Sequence, residues 1–258
     1  MIFSMSTNVF ATNGYGEEVD INVMSYNIYH GVGLDGELSL ERIADVMKDA
    51  DAEIIGIQEV DRFYGDRSDF QDQAKELAEL LGYHYVYGAN LDLDPAEGQE
   101  QNRQYGTGIL SKYPIIDSEN TFLSSFGKEQ RGLLRATVNV RGIHVNVYNT
   151  HLGLDVPSRL AQVDEIIDVT SSFEGPRILL GDLNAEPDSE EFQLLLEQGN
   201  FVDSFADIED ANTFPVINPI KRIDYILSSP SIEHSNQRVI YTEDFDHLPL
   251  VTEMKIKR

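Results

Sequence analysis

The chain has 258 residues, 41% of them hydrophobic and 25% charged, enough for one large domain with a full core or two small ones. It contains no cysteine, which excludes disulfides, thiolate metal sites and a cysteine nucleophile; any metal must be held by carboxylate, amide or imidazole, ligands that suit a hard ion such as Mg²⁺, Mn²⁺ or Ca²⁺. Its 45 acidic against 19 basic residues give a formal charge of -26, which opposes non-specific coating of nucleic acid and reads as a solvated acidic surface suited to high salt, although a bound metal can invert the field locally.

No apolar run approaches the length that spans a bilayer. Met1 to Asn8 has neither a basic start nor a sustained apolar core, so it does not read as a signal peptide, and the expected compartment is the cytoplasm, with an exported mature chain as the alternative. Residues 1–18 read as a loose extension and 19–258 as a single domain, with no internal linker, low-complexity tract or convincing repeat.

Asp20 to Ile28 alternates and then runs apolar, a strand pattern ending in Asn27-Ile-Tyr-His-Gly, with Gly31 and Gly33 marking the turn. Leu40 to Ala50 is a helix with Leu40, Ile43, Ala44 and Met47 on one face and Ser39 as its cap. Ile54 to Val60 is a buried strand that delivers Glu59. Phe70 to Leu81 is a second helix, stopped by Gly82, and Tyr83 to Tyr87 a strand. Asp92 to Arg103 is an acidic loop. A strand broken by Pro114 follows from Tyr105.

Leu133 to Val140 and Ile143 to Thr150 form a hairpin about Arg141-Gly142 whose second strand delivers His151. Val156 to Val169 is a helix with Pro157 at its start and an apolar face of Leu160, Val163, Ile166 and Ile167. The apolar run after Gly175-Pro176 is a strand over 177–184, ending in Asp182 and Asn184, a carboxylate and an amide two residues apart and so on one side of the strand end. Glu190 to Leu196 is a short helix and Phe201 to Phe205 a short apolar stretch. Arg222 to Leu227, Ile232 to Tyr241 and Leu248 to Ile256 are strands, with Asp246-His247 before the last. Crossovers mixed with hairpins predict an α+β fold of mixed sheets covered by helices.

Polar groups recur at strand ends: Asn27, Glu59, His151, Asp182, Asn184, Asp224 and Asp246-His247. A strand-end carboxylate or amide alone is commonly a surface residue or a local backbone cap. Adjacent residues on a strand point apart, so Asp224 is the expected partner of His247 rather than Asp246, fixing its tautomer. His84, His144 and His234 read as structural; so does His30, though its place in the Asn27 turn makes it suspect. Arg103 and Arg131 read as solvated, with a phosphate clamp as the alternative. Serine-hydrolase, P-loop, dinucleotide and zinc-peptidase motifs are absent. The set suits metal-assisted attack of water at phosphorus.

Ser25-Tyr-Asn-Ile, Gln58-Glu59, Asn149-Thr-His-Leu, Gly181-Asp-Leu-Asn, Arg222-Ile-Asp-Tyr-Ile and Asp246-His247 stand in the order found in the endonuclease/exonuclease/phosphatase (DNase I-like) superfamily, which the chain resembles over residues 25–247. The resemblance implies a four-layered α/β/β/α sandwich of two mixed sheets. It implies that Asn27, Glu59 and Asp246 hold Mg²⁺ or Mn²⁺, and that Asp182 positions or deprotonates the attacking water. Asn184 would hold the phosphate or the water, His151 would contact a phosphate oxygen, and His247, paired with Asp224, would stabilise or protonate the phosphoryl oxygens. Tyr29 and His151 depart from the abasic-site endonuclease pattern, and Phe245 replaces the serine usual before Asp-His. The expected substrate is nucleic acid or another phosphate ester, a nuclease slightly ahead of a sphingomyelinase-like or small-ester phosphodiesterase; the alternative of another class is a non-catalytic metal-binding module. Crowded carboxylates are expected to make Glu59 a cost to the metal-free fold.

Overall fold

The computed structural model describes residues 18–242 and 244–257. The loose extension expected over 1–18 therefore lies outside the described residues, save for Glu18, which opens the first strand. The elements are β1 (Glu18–Asn27), α1 (Leu40–Asp49), β2 (Ile54–Arg62), α2 (Gln73–Leu81), β3 (His84–Leu93), β4 (Arg103–Ser111), β5 (Ile115–Leu123), β6 (Arg131–Val140), β7 (Ile143–His151), α3 (Val156–Ser171), β8 (Arg177–Asp182), α4 (Glu190–Glu197), β9 (Val202–Asp203), β10 (Asp224–Ser228), β11 (Glu233–Val239) and β12 (Leu250–Lys257).

The strands form two six-stranded sheets, ordered β11-β12-β1-β2-β4-β3 and β5-β6-β7-β8-β10-β9. In each sheet the two middle strands are parallel, β1 with β2 and β7 with β8, and the other pairs are antiparallel. The helical crossovers α1 and α3 make those parallel pairs. The two sheets thus repeat one topology, a repeat that the residues themselves do not show.

Burial explains the layering. Val23, Ile54, Val147, Leu180 and Ile226 share the core between the sheets. Met24, Ile55 and Val251 face outward from the first sheet onto α1 and α2, and Tyr148, Leu179 and Leu227 face outward from the second onto α3 and α4. Alternate residues of one strand go to opposite faces, so β1 and β8 each feed two layers of core. The result is the four-layered sandwich of two mixed sheets and flanking helices. Gly56 lets the sheets close: a Cβ there would stand 2.9 Å from Leu180 Cβ and 3.0 Å from Asn149 Cγ.

Some boundaries move for local reasons. Helix α2 starts at Gln73 rather than Phe70, because Phe70 has φ 53° and Asp72 is the cap, accepting from the Lys75 N–H. The strand expected to close at Tyr87 runs on to Leu93, since Gly106 to Arg103 of β4 continue the ladder and shorten the acidic loop. Pro114 separates two strands rather than breaking one, and β5 pairs with β6 through Leu123. β8 ends at Asp182, and Asn184 (φ 49°) lies beyond it in the left-handed region. The buried face of α3 carries Ser158, Arg159 and Gln162 beside Val163 and Ile166, while Leu160 and Ile167 are half-buried. These polar groups turn inward because partners wait there: Arg159 Nε meets Glu191 Oε1 at 2.6 Å, and Gln162 serves the Gly153 N–H and the Ser124 carbonyl.

Candidate active site

The carboxyl ends of both parallel pairs meet at one edge of the sandwich, and the polar residues of the strand ends gather there. Asn27 closes β1. On β2 the register slips between Ile57 and Val60, and Glu59 takes the left-handed conformation, φ 58°. A non-glycine residue held there at a bulge re-aims its side chain out of the ladder, in this case into the cleft. His151 closes β7 and pairs in register with Asp182 at the end of β8; Asp224, the first residue of β10, pairs with Asp182 on its other side. Asp246 and His247 arrive from the segment before β12. Beneath them the sheets are tied by amides: Gln58 Nε2 donates to Asn149 Oδ1 at 2.7 Å, and Asn149 Nδ2 donates to the carbonyls of Ile57 (2.9 Å) and Gly108 (2.7 Å). Gly181 permits the close approach of β8 to β7; its φ is 156°, and a Cβ would strike the Thr150 carbonyl.

Asp182 is the hub. Its Oδ2 accepts from Asn27 Nδ2 at 3.1 Å and faces His151 Nε2 at 3.5 Å and His247 Nε2 at 3.7 Å. Its Oδ1 accepts the Asn184 backbone N–H at 2.9 Å. His247 Nδ1 is bound to Asp224 Oδ2 at 2.8 Å, the partner expected for it. Asn27 Nδ2 also donates to Glu59 Oε1 at 3.1 Å, and His30 Nδ1 stands 3.9 Å from Glu59 Oε2, too far to hydrogen-bond but near enough for a charge to be felt.

Burial and charge separate these groups. Burial, then the charge of Asp224, lifts Asp182 to about 7. Burial lifts Asp246 to about 6. Burial would also lift Glu59, but His30, the charge of His151, the Asn27 amide and the charge of His247 outweigh it and hold the carboxyl at about 2. Burial opposes charge on His247, yet Asp224, by charge and hydrogen bond, raises it to about 10. Burial, helped by the nearby Arg131 cation, drops His151 to about 3. At neutral pH one imidazole is a cation and the other is neutral.

Two amides are held in place by hydrogen bonds. Asn184 lines the cleft, with Nδ2 bonded to the Leu152 carbonyl at 3.1 Å and its backbone N–H orienting Asp182. Asn27 presents its NH₂ group, not its oxygen, to the two carboxylates, and Oδ1 accepts from the Tyr29 N–H at 3.1 Å. That is the orientation two bare carboxylates demand; to serve as a cation ligand the amide must turn over and give up the Tyr29 bond.

A divalent cation fits this donor set. Glu59 is held ionised, and Asp246 Oδ1 is buried without a hydrogen-bond partner. Both line the same cleft, and both offer hard oxygen. Asp182, Asp224 and His247 also lie close enough to share an ion, with donor atoms within 4.8 Å of one another. There, however, His247 Nδ1 is already spent on Asp224, which reads as a hydrogen-bonded relay.

The cleft holds about 700 Å³. Arg131, which reads in sequence as a solvated loop residue, starts β6 and is buried in the cleft wall, with Nε unpartnered and one nitrogen 3.0 Å from Glu129. Tyr105, Arg159, Phe214 and Lys221 line the cleft too. The Phe214 ring packs on the His247 imidazole, with centroids 4.8 Å apart. An apolar flank to the Arg131 strand was the available signal; nothing local marks the others. Arg103 stays outside, bonded to the Asp94 carbonyl. His84 and His144 are exposed, and His234 bonds Ser228 Oγ at 2.9 Å, as structural histidines do.

The sequence profile of the Endonuclease/Exonuclease/phosphatase family matches residues 24–246. The uncharacterised protein YbhP of Escherichia coli K12 is 26% identical over 255 residues, 93% of this chain and 98% of its own. Among solved structures, an endonuclease/exonuclease/phosphatase from Beutenbergia cavernae superposes with a TM-score of 0.80 at 25% identity, covering 92% of this chain and 72% of its own. A mannosyl-6-phosphatase of Bacteroides thetaiotaomicron gives 0.72 at 21%, covering 91% and 99%, a likeness of fold.

Proposed function

The chain belongs to the Endonuclease/Exonuclease/phosphatase family and is a phosphohydrolase, and from that premise we propose that it is a Mg²⁺- or Mn²⁺-dependent hydrolase of small phosphate esters. The observation that carries this reading is Asp182: one buried carboxylate within 3.1–3.7 Å of Asn27, His151 and His247, at the floor of an open cleft.

The residues divide the work. Asp182, raised to about 7 and oriented by Asn27 and the Asn184 N–H, accepts a proton from water as its oxygen attacks phosphorus; the ester P–O bond opposite breaks, and the leaving oxygen takes up a proton from solvent. His247, cationic and fixed by Asp224, directs Nε2 toward the same space, where it stabilises charge on the phosphoryl oxygens. His151 is neutral and offers a further contact to those oxygens. Glu59 and Asp246, with Asn27 turned over, would hold the cation, which offsets the growing phosphate charge.

Small esters suit the cleft better than a nucleic-acid strand. Glu129, Glu186 and Asp188 share its walls with Arg131, Arg159 and Lys221, and Arg159 is consumed by Glu191. That leaves little cationic track for successive phosphates. Hydrolysis of bis-p-nitrophenyl phosphate and of p-nitrophenyl phosphate in Mg²⁺, Mn²⁺ or EDTA, with Asp182→Asn alongside, tests the reading. Metal-dependent turnover lost in the variant supports it; equal turnover in EDTA or in the variant sinks it. Faster cleavage of plasmid DNA or RNA than of any small ester would restore the nuclease alternative.

A further inference from the structure

The seven lysines of the chain all lie among the described residues. Six of them, Lys48, Lys75, Lys112, Lys128, Lys255 and Lys257, stand no more than 3.9 Å from a carboxylate oxygen. Lys221 pairs with none, and it alone of the seven lines the catalytic cleft. Glu186, Asp188 and Asp246 line the same cleft, yet none comes within ion-pairing distance of it. The other cations there are engaged: Arg131 by Glu129 at 3.0 Å, Arg159 by Glu191 at 2.6 Å and His247 by Asp224 at 2.8 Å. An anion that binds Arg131 or Arg159 must compete with a carboxylate already in place. At Lys221 it displaces only water, so the charge-assisted hydrogen bond is available to a substrate.

The backbone fixes where this ammonium stands. The Lys221 N–H donates to the Phe214 carbonyl at 2.9 Å, and the Lys221 carbonyl accepts from the N–H groups of Thr213 at 2.8 Å and Phe214 at 3.1 Å. Phe214 in turn rests its ring on the His247 imidazole. Two residues on, the Ile223 carbonyl accepts at 2.8 Å from the N–H of Leu183, the neighbour of Asp182. Adjacent side chains go to opposite sides: Arg222 turns away to Asp203 at 2.7 Å and onto the Tyr225 ring, while Lys221 and Ile223 line the cleft. Lys221 is therefore tied on one side to the residue that covers His247 and on the other to the strand end that carries Asp182.

We propose that Lys221 is a specificity-determining residue. Its ammonium binds a non-reacting oxygen of the phosphoryl group and reads that group's charge, favouring a phosphate monoester, with about two negative charges at neutral pH, over the singly charged diester. The inference rests on the phosphate-ester reading given above. One uncompensated cation suits one phosphoryl group, whereas a strand of successive phosphates would need several.

The test uses two esters with the same leaving group, p-nitrophenyl phosphate and bis-p-nitrophenyl phosphate, and the protein in Mg²⁺ or Mn²⁺. Lys221→Met should raise KM for the monoester by about tenfold more than for the diester, with kcat moved far less, and Lys221→Arg should recover most of the difference. Inorganic phosphate should inhibit diester hydrolysis competitively, with an inhibition constant about tenfold higher in Lys221→Met. Rising KCl should narrow the gap between that variant and the unaltered protein. Lys221 is exposed, so both variants should keep the parent melting temperature. Unchanged KM and phosphate inhibition in Lys221→Met would make Lys221 an ordinary solvated cation. An equal loss for both esters, or cleavage of the diester alone, would remove its reading of charge. Any of these overturns the assignment and leaves the hydrolase standing. Absence of metal-dependent cleavage of both esters by the unaltered protein removes the phosphate-ester reading and the assignment with it.

Discussion

Gln58 and Asn149 join hands across the two sheets, amide to amide at 2.7 Å, directly beneath the residues that carry the chemistry. Both are fully buried, and Asn149 spends its NH₂ on the carbonyls of Ile57 and Gly108. The strut fixes how β2 meets β7, and so how far Glu59 stands from His151. Replacing Asn149 with Ala leaves a buried amide on Gln58 and two carbonyls short of a partner. The expected loss is about 3 kcal/mol, read by urea denaturation, since each buried unsatisfied group costs about 1–3 kcal/mol. A loss within experimental error would mean that the strut is dispensable.

His247 predicts a pH dependence. Its folded value near 10 lies above its ordinary 6.5, so the stability it contributes is complete below 6.5 and is lost as pH rises through 10. Asp182 also binds its proton more tightly when folded, but its window ends near 7, and His151 acts in the opposite sense below 6.5. The interval from 7 to 10 therefore belongs to His247. Denaturation in EDTA should show stability falling across it, and the slope should flatten in His247→Gln or Asp224→Asn. An unchanged slope in both would show that the pair is not ionised in the folded protein.

Glu59 and Asp246 should respond in opposite ways to removal of charge. The carboxylate crowding expected to burden Glu59 is opposed by His30, the charge of His151 and the Asn27 amide, which hold its carboxyl at about 2, below the ordinary 4.5. Its contribution is present above 4.5 and lost as pH falls through 2, so Glu59→Gln should lose about 2 kcal/mol at neutral pH without metal. Asp246, lifted by burial, should gain stability as Asp246→Asn. Both changes should weaken Mg²⁺ or Mn²⁺ binding measured by calorimetry. Unaltered affinity in either variant removes that residue from the ligand set.

Asp182→Asn should separate activity from stability. Turnover of bis-p-nitrophenyl phosphate should fall by about two to four orders of magnitude, the usual loss on removing a general base. The metal-free melting temperature should hold or rise, because a buried carboxylate that resists ionisation is replaced by a neutral amide of the same shape. A drop in melting temperature together with the loss of turnover would instead make Asp182 a structural hub.

The acidic excess, 45 residues against 19, predicts that molar KCl raises the melting temperature by screening repulsion. Destabilisation in salt would show that paired charges, not the net charge, dominate the surface.

Much of the fold was legible along the chain because it is local. Periodicity marks the strands, Ser39 and Gly82 bound their helices, and the polar residue that follows each apolar run announces a strand end. Strand alternation set Asp246 aside and left Asp224 as the expected partner of His247; Asp246 and His247 in fact stand in the segment before β12, and the pairing is made where that segment meets the start of β10. Three things required the tertiary structure. Glu59 reaches the cleft only because a register slip against β4 puts it in the left-handed region, and pairing across strands far apart in sequence leaves no local trace. The amide of Asn27 takes its orientation from carboxylates 32 and 155 residues away. Arg131 looked like a solvated cation, and only the closing of β6 against β7, with α3 behind, buries it beside His151 and Ser158. Residue types and their order identify the chemistry; long-range packing sets the distances and the desolvation that decide which of those groups carry charge.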